Sequence, residues 1–163
     1  MMRPYHRHLA ALALVTLSAG AIAAAALDPK AAAALDPKAA VATRQAGFKR
    51  MGAAFKTIND QLKADAPAKD QIVAAARIVA ATARAQPALF PAGSGASAGV
   101  PNDALPAVWS QRPAFDAQMA KLVAETGKLA TVAAGGDLAA IREQARATGA
   151  VCRACHTQFR ADD

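Results

Sequence analysis

At 163 residues the chain has the size of one domain. Hydrophobic residues make up 54% of it but aromatics only 4%, so an alanine-rich, helix-forming sequence has little bulk with which to fill a core. Its formal charge of +7 raises the question of nucleic acid. The basic residues are spread at intervals of seven, however (Lys49, Lys56 and Lys63; Arg77 and Arg84; Lys121 and Lys128; Arg146, Arg153 and Arg160). Without interleaved aromatics, that spacing paints a solvated stripe on each helix, and no nucleic-acid partner is expected.

Residues 1–25 read as a cleaved secretory signal peptide. Arg3 and Arg7 precede an apolar run over residues 9–17, and small residues follow from Ser18 onward. Cleavage is expected between Ala21 and Ala26. The alanine run lengthens the apolar stretch toward a membrane span, which is the competing reading. After cleavage no membrane association is expected, and 17 of the 19 basic residues remain against 12 acidic ones.

Residues 26–36 are expected to form a flexible tail, carrying the first copy of a repeat, Ala-Leu-Asp-Pro-Lys-Ala-Ala. In each copy Asp suits an N-cap and Pro the first helical position. The second copy opens the remaining domain, residues 37–163, whose periodicity predicts an all-α fold: an antiparallel up-down four-helix bundle. Helix 1, about 37–64, has an apolar seam of Val41, Phe48, Met51, Phe55, Ile58 and Leu62, with Arg44 occupying one seam position. Helix 2, about 68–86, follows Ala66-Pro67 and stops before Pro87, with Ile72, Val79 and Ala83 on one side. Between Pro87 and Pro113 lies a glycine-rich stretch that matches no phosphate-binding fingerprint. It is expected to be a flexible crossover loop, with Trp109 as a hydrophobic plug at one end of the bundle. Helix 3, about 112–133, runs along Phe115, Met119, Leu122, Thr126, Leu129 and Ala133 to a stop at Gly135-Gly136. Asp137 caps helix 4, about 138–160.

The seam of helix 4 ends in Cys152, Cys155 and Phe159, and His156 follows the second cysteine directly. C-x-x-C-H is the pattern of covalent c-type haem attachment. Two thiols on one helix face can each add to a vinyl group, and the adjoining imidazole can bind the iron. Haem would also supply the missing apolar volume. A thiol-disulfide exchanger wants such a pair at a helix N-terminus beside strands, not near the end of a helix. Zinc wants four ligands, and His6 and His8 belong to the leader. A sixth iron ligand would have to come from an earlier helix, as Met51 or Met119, since no methionine follows the motif.

The chain from about Lys38 to Arg160 resembles cytochrome c', a well-known four-helix-bundle group of c-type cytochromes. The resemblance is carried by Gly149-Ala150-Val151-Cys152-Arg153-Ala154-Cys155-His156-Thr157-Gln158-Phe159-Arg160 near the C-terminus. Thr43-Arg44-Gln45-Ala46-Gly47-Phe48-Lys49-Arg50-Met51-Gly52, Leu89-Phe90-Pro91-Ala92-Gly93 and Leu105-Pro106-Ala107-Val108-Trp109 add to it. It implies one haem c per chain, held by Cys152 and Cys155, with His156 as proximal ligand and Arg160 beside it. Arg44 is implied near a haem propionate. Phe48 matches the position over the distal face, where low-spin relatives carry a ligating methionine, and Met51 matches a packing position. The resemblance therefore implies five-coordinate, high-spin iron that binds NO and, more slowly, CO. It further implies a periplasmic role in electron transfer or nitric oxide tolerance, an unidentified redox partner, a homodimer formed through the first two helices, and no enzymatic activity. The alternative is a low-spin, six-coordinate electron carrier using Met51 or Met119.

Overall fold

The computed structural model describes residues 35–161; the leader and the first repeat copy lie outside the described residues. Four long helices carry the fold: α1 (Pro37–Lys63), α2 (Lys69–Ala85), α4 (Arg112–Gly135) and α5 (Leu138–Phe159), with a single turn, α3 (Ala107–Ser110), ahead of α4. Their ends follow from local chemistry. Asp36 Oδ1 accepts from Ala39 N at 2.8 Å ahead of Pro37, so an otherwise orphaned helical N–H is satisfied. Asp137 does the same for Ala139 N at 2.9 Å and Ala140 N at 3.4 Å. Gly136 ends α4 at φ +75°, a left-handed conformation in which a side chain would be strained.

The four helices form the expected bundle. α1 packs on α2, α2 on α4 and α4 on α5, whereas α1 and α5 touch least of these neighbouring pairs. Ile58, Ile72, Val79, Leu129 and Ile141 fill one part of the core and are almost fully buried. Gly47 lets the end of α2 approach α1, because a Cβ there would lie 2.1 Å from Gln86 Nε2.

The crossover differs from the flexible loop expected from its glycines. It contains 3-10 turns at Gln86–Leu89 and Ala96–Ala98 as well as α3, and its polar backbone is taken up from within the bundle. Arg44, only 3% exposed, is the main tie. Its Nη1 donates to Ser94 Oγ at 3.0 Å and Leu89 O at 3.4 Å, and its Nη2 to Ser94 O at 2.8 Å and Asn102 Oδ1 at 2.9 Å. The guanidinium lies 4.7 Å from the Phe90 ring centre and 5.9 Å from that of Trp109. Trp109 packs against the core as expected, and it also fastens the loop, its Nε1 donating to Pro91 O at 3.0 Å. An arginine can occupy an apolar seam position because the crossover brings it a set of acceptors. Arg44→Ala leaves those acceptors buried without a donor, and an equilibrium urea titration should show a loss of about 3 kcal/mol.

Helix 4 was expected to reach Arg160, but α5 stops at Phe159. Arg160 is extended (φ −120°, ψ 137°) and pairs antiparallel with Ala104. Leu105 N donates to Phe159 O at 2.9 Å and Ala161 N to Asp103 O at 2.8 Å, so the crossover supplies partners that another helical turn would not reach.

Candidate functional site

Along α5, Thr148, Cys152, Cys155 and Phe159 follow one another at intervals of three or four, which puts them on one face. That face borders a cavity of about 590 Å³. Opposite stand Arg44, Phe48, Met51 and Phe55 of α1, while Phe115, Met119 and Leu122 of α4 line the interior. His156 and Arg160 border the same space. All six residues singled out from the sequence thus meet around one cavity, and so do Met51 and Met119.

The cavity is apolar for identifiable reasons. Rings run from wall to wall: Phe48 to Phe90 at 6.4 Å between centroids, Phe90 to Phe115 at 4.7 Å and Phe115 to Phe159 at 5.3 Å, the last two edge-on. Two buried hydroxyls reach the lining, but each donates to a carbonyl of its own helix. Thr126 Oγ1 lies 2.7 Å from Leu122 O, and Thr148 Oγ1 lies 2.9 Å from Gln144 O.

Cys152 and Cys155 are half-buried free thiols. Burial pushes Cys152 up from its ordinary value, and burial together with the neighbouring Cys152 sulfur pushes Cys155 up to about 11. Thiolate is therefore scarce at neutral pH, the reverse of what a disulfide exchanger needs. A raised thiol pKa means that folding favours the protonated form. The associated stability is complete below the ordinary value of 9.0 and is lost as pH rises through about 11. In the haem-free chain, iodoacetamide should modify Cys155 slowly at pH 7, with a rate that climbs toward pH 11 rather than levelling off near 9.

Among the described residues no group of three or more His, Cys, Asp or Glu stands close enough to hold a bare metal ion. The cavity does suit a flat prosthetic group. Its volume falls within the range of about 300–1,000 Å³ common for cofactor pockets. Its walls are aromatic and aliphatic, and two thiols and an imidazole from one helix belong to its lining.

Ser94 and Asn102, on which Arg44 and the crossover depend, were not legible as important from the sequence. Pro101-Asn102-Asp103 carries a turn signal, but nothing local points to a partner on α1.

Comparison with known proteins agrees with this geometry. The family model for Cytochrome C' matches residues 39–160. A cytochrome c' of Rhodopseudomonas palustris is 36% identical over 124 residues, spanning 74% of this chain and 81% of that protein. The crystal structure of cytochrome c' from Thermochromatium tepidum superposes with a TM-score of 0.74 at 31% identity, covering 80% of this chain and 100% of that one. A nitric oxide complex of a variant of cytochrome c prime from Alcaligenes xylosoxidans superposes with a TM-score of 0.71 at 28% identity, covering 78% and 98% respectively. With a bundle, an apolar cavity and a C-x-x-C-H motif on its lining, the chain belongs to the cytochrome c' family and binds haem c covalently.

Proposed function

We propose that this is a periplasmic gas-binding haem protein in which His156 is the one protein ligand to iron and Phe48 covers the opposite face. The observation that carries the reading is Phe48 itself: a side chain with no ligating atom, on the cavity wall of α1, facing the space bordered by the motif on α5. Cys152 and Cys155 would hold the haem through thioethers, and His156 would bind its iron through an imidazole nitrogen. When bound, the haem supplies an iron site that can take a diatomic gas.

The protein's own contribution is selection. Phe48, Phe90 and Phe115 give an incoming gas an apolar path and give water or anions no polar partner. The site would not favour dioxygen, which would need a hydrogen-bond donor: Phe48 has none, and the Thr126 and Thr148 hydroxyls are committed to backbone carbonyls. Nitric oxide and carbon monoxide depend less on such a donor, and the nitric oxide complex of the Alcaligenes xylosoxidans relative supports the same ligand class here. Arg160 would add positive charge at the cavity wall, suited to a haem carboxylate, while Arg44, whose Nη atoms are taken up by the crossover, would act on a carboxylate through its charge alone. Anaerobic titration of the ferrous protein with nitric oxide should change its absorption spectrum up to one equivalent. An unchanged spectrum would contradict the proposal.

A second reading is favoured by one feature: Met51 and Met119 are 7% and 1% exposed and both border the cavity. Either thioether as a further iron ligand would make an electron carrier. Met51→Leu and Met119→Leu should leave the spectrum unchanged in our account and abolish a methionine-ligated spectrum in the other.

In the same proposal residues 1–25 direct export and residues 37–163 form the functional unit. Two copies associate through α1 and α2, and electrons come from a separate redox protein. Among the described residues no helix is long and apolar enough to cross a membrane.

A further inference from the structure

A single amide oxygen joins the two sides of the cavity. Asn102 Oδ1 accepts from Arg44 Nη2 at 2.9 Å and from Ala104 N at 3.3 Å. The other end of the amide is also engaged, Nδ2 donating to Val100 O at 3.1 Å and Gly95 O at 3.3 Å. On one side of this oxygen, Arg44 precedes Phe48 by one turn of α1. On the other, Ala104 pairs with Arg160, four residues beyond His156. Gln45, next to Arg44, holds the same segment by donating to Pro101 O at 3.0 Å.

Residues 101–105 therefore form a strap from α1 to the end of α5. The last carbonyls of a helix have no partner within it, and an unheld last turn frays. Here Leu105 N takes Phe159 O, and Asp103 O receives Ala161 N just beyond it. Both bonds flank the residue whose own N–H is oriented by Asn102.

We infer that Asn102 is a positioning residue: by tying the strap to Arg44 it fixes the last turn of α5, and with it the His156 imidazole, relative to the Phe48 wall. Removing its side chain takes the acceptor from Arg44 Nη2 and Ala104 N together and leaves the exposed Gln45–Pro101 bond as the strap's remaining tie to α1. The cavity keeps its lining, but the motif's end of α5 gains freedom that α1 formerly restrained. The inference rests on His156 as the proximal ligand.

The test uses the haem-loaded protein with Asn102→Ala and Asn102→Asp, the latter retaining an acceptor oxygen in place. Asn102→Ser, whose oxygen is too short to reach both donors, stands in if the alanine variant does not fold. Amide exchange at Leu105 and Ala161 should accelerate about tenfold in the alanine or serine variant, the scale of one lost hydrogen bond, with the interior of α2 unaffected. The iron–histidine stretching band of the ferrous protein should shift or broaden in the same variant, and Asn102→Asp, which keeps the acceptor for Arg44 and Ala104 but gives up the Nδ2 donations to Val100 O and Gly95 O, should recover most of both readouts. Unchanged exchange and an unchanged band, or equal acceleration in every helix, would overturn the inference. An iron–histidine band missing from the parent protein would instead overturn the ligand reading.

Discussion

Cys152→Ala combined with Cys155→Ala should abolish covalent haem. Expressed with a haem-attachment apparatus, the parent chain should keep its haem through denaturing electrophoresis and acid–acetone extraction, whereas the double variant should release all of it. The physical basis is that these are the only two cysteines in the sequence and both border the cavity from one face of α5. The consequence for folding should be large as well. Haem tethered to the chain in both states buries its apolar faces only in the folded one, and a chain with 4% aromatics has little else to occupy about 590 Å³. The variant should therefore melt at a markedly lower temperature by circular dichroism. Haem still bonded to the double variant after denaturation would mean that the attachment lies elsewhere.

Phe48→Ala should accelerate carbon monoxide binding to the ferrous protein by about tenfold, equivalent to roughly 1.4 kcal/mol taken off the barrier to entry. Phe48 is only partly buried and meets Phe90 at 6.4 Å between ring centres, so its removal opens the α1 wall without withdrawing a hydrogen bond. The effect should appear in the association rate, measured by stopped flow, with thermal stability falling modestly as packing is lost. Phe48→Met is the complementary change. It would place a thioether on the α1 wall of the cavity in place of the ring and should convert the spectrum toward six-coordinate, low-spin iron. A carbon monoxide rate unmoved by Phe48→Ala would remove Phe48 from its role as cover.

Much of this was readable in the sequence because it is encoded locally. Asp36 and Asp137 as caps, Gly136 as a stop and the seams of the four long helices depend on residues within a turn or two of each other. The C-x-x-C-H motif is local in the same sense, and the seam positions of Cys152 and Cys155 suffice to turn them toward the interior. Arg44 marks the limit. Its place in an apolar seam was visible, but its acceptors on Ser94 and Asn102 lie 50 and 58 residues away, and no periodicity announces a contact of that kind. The order within residues 86–106 was missed for the same reason, since glycines that suggest a loose loop are compatible with a fastened one once Arg44 and Trp109 bind its carbonyls. Arg160 left the helical register because it pairs with Ala104, a partner in the crossover that lies far from α5 in the sequence.

The central claim, iron with His156 as its single protein ligand beneath a Phe48 cover, is tested most directly by absorption and electron paramagnetic resonance spectra of the haem-loaded protein in the ferric and ferrous states. High-spin iron is expected in both, with spectra that change on addition of nitric oxide. A low-spin ferric spectrum with a methionine–iron charge-transfer band would contradict it and make Met51 or Met119 the ligand in place of an open site.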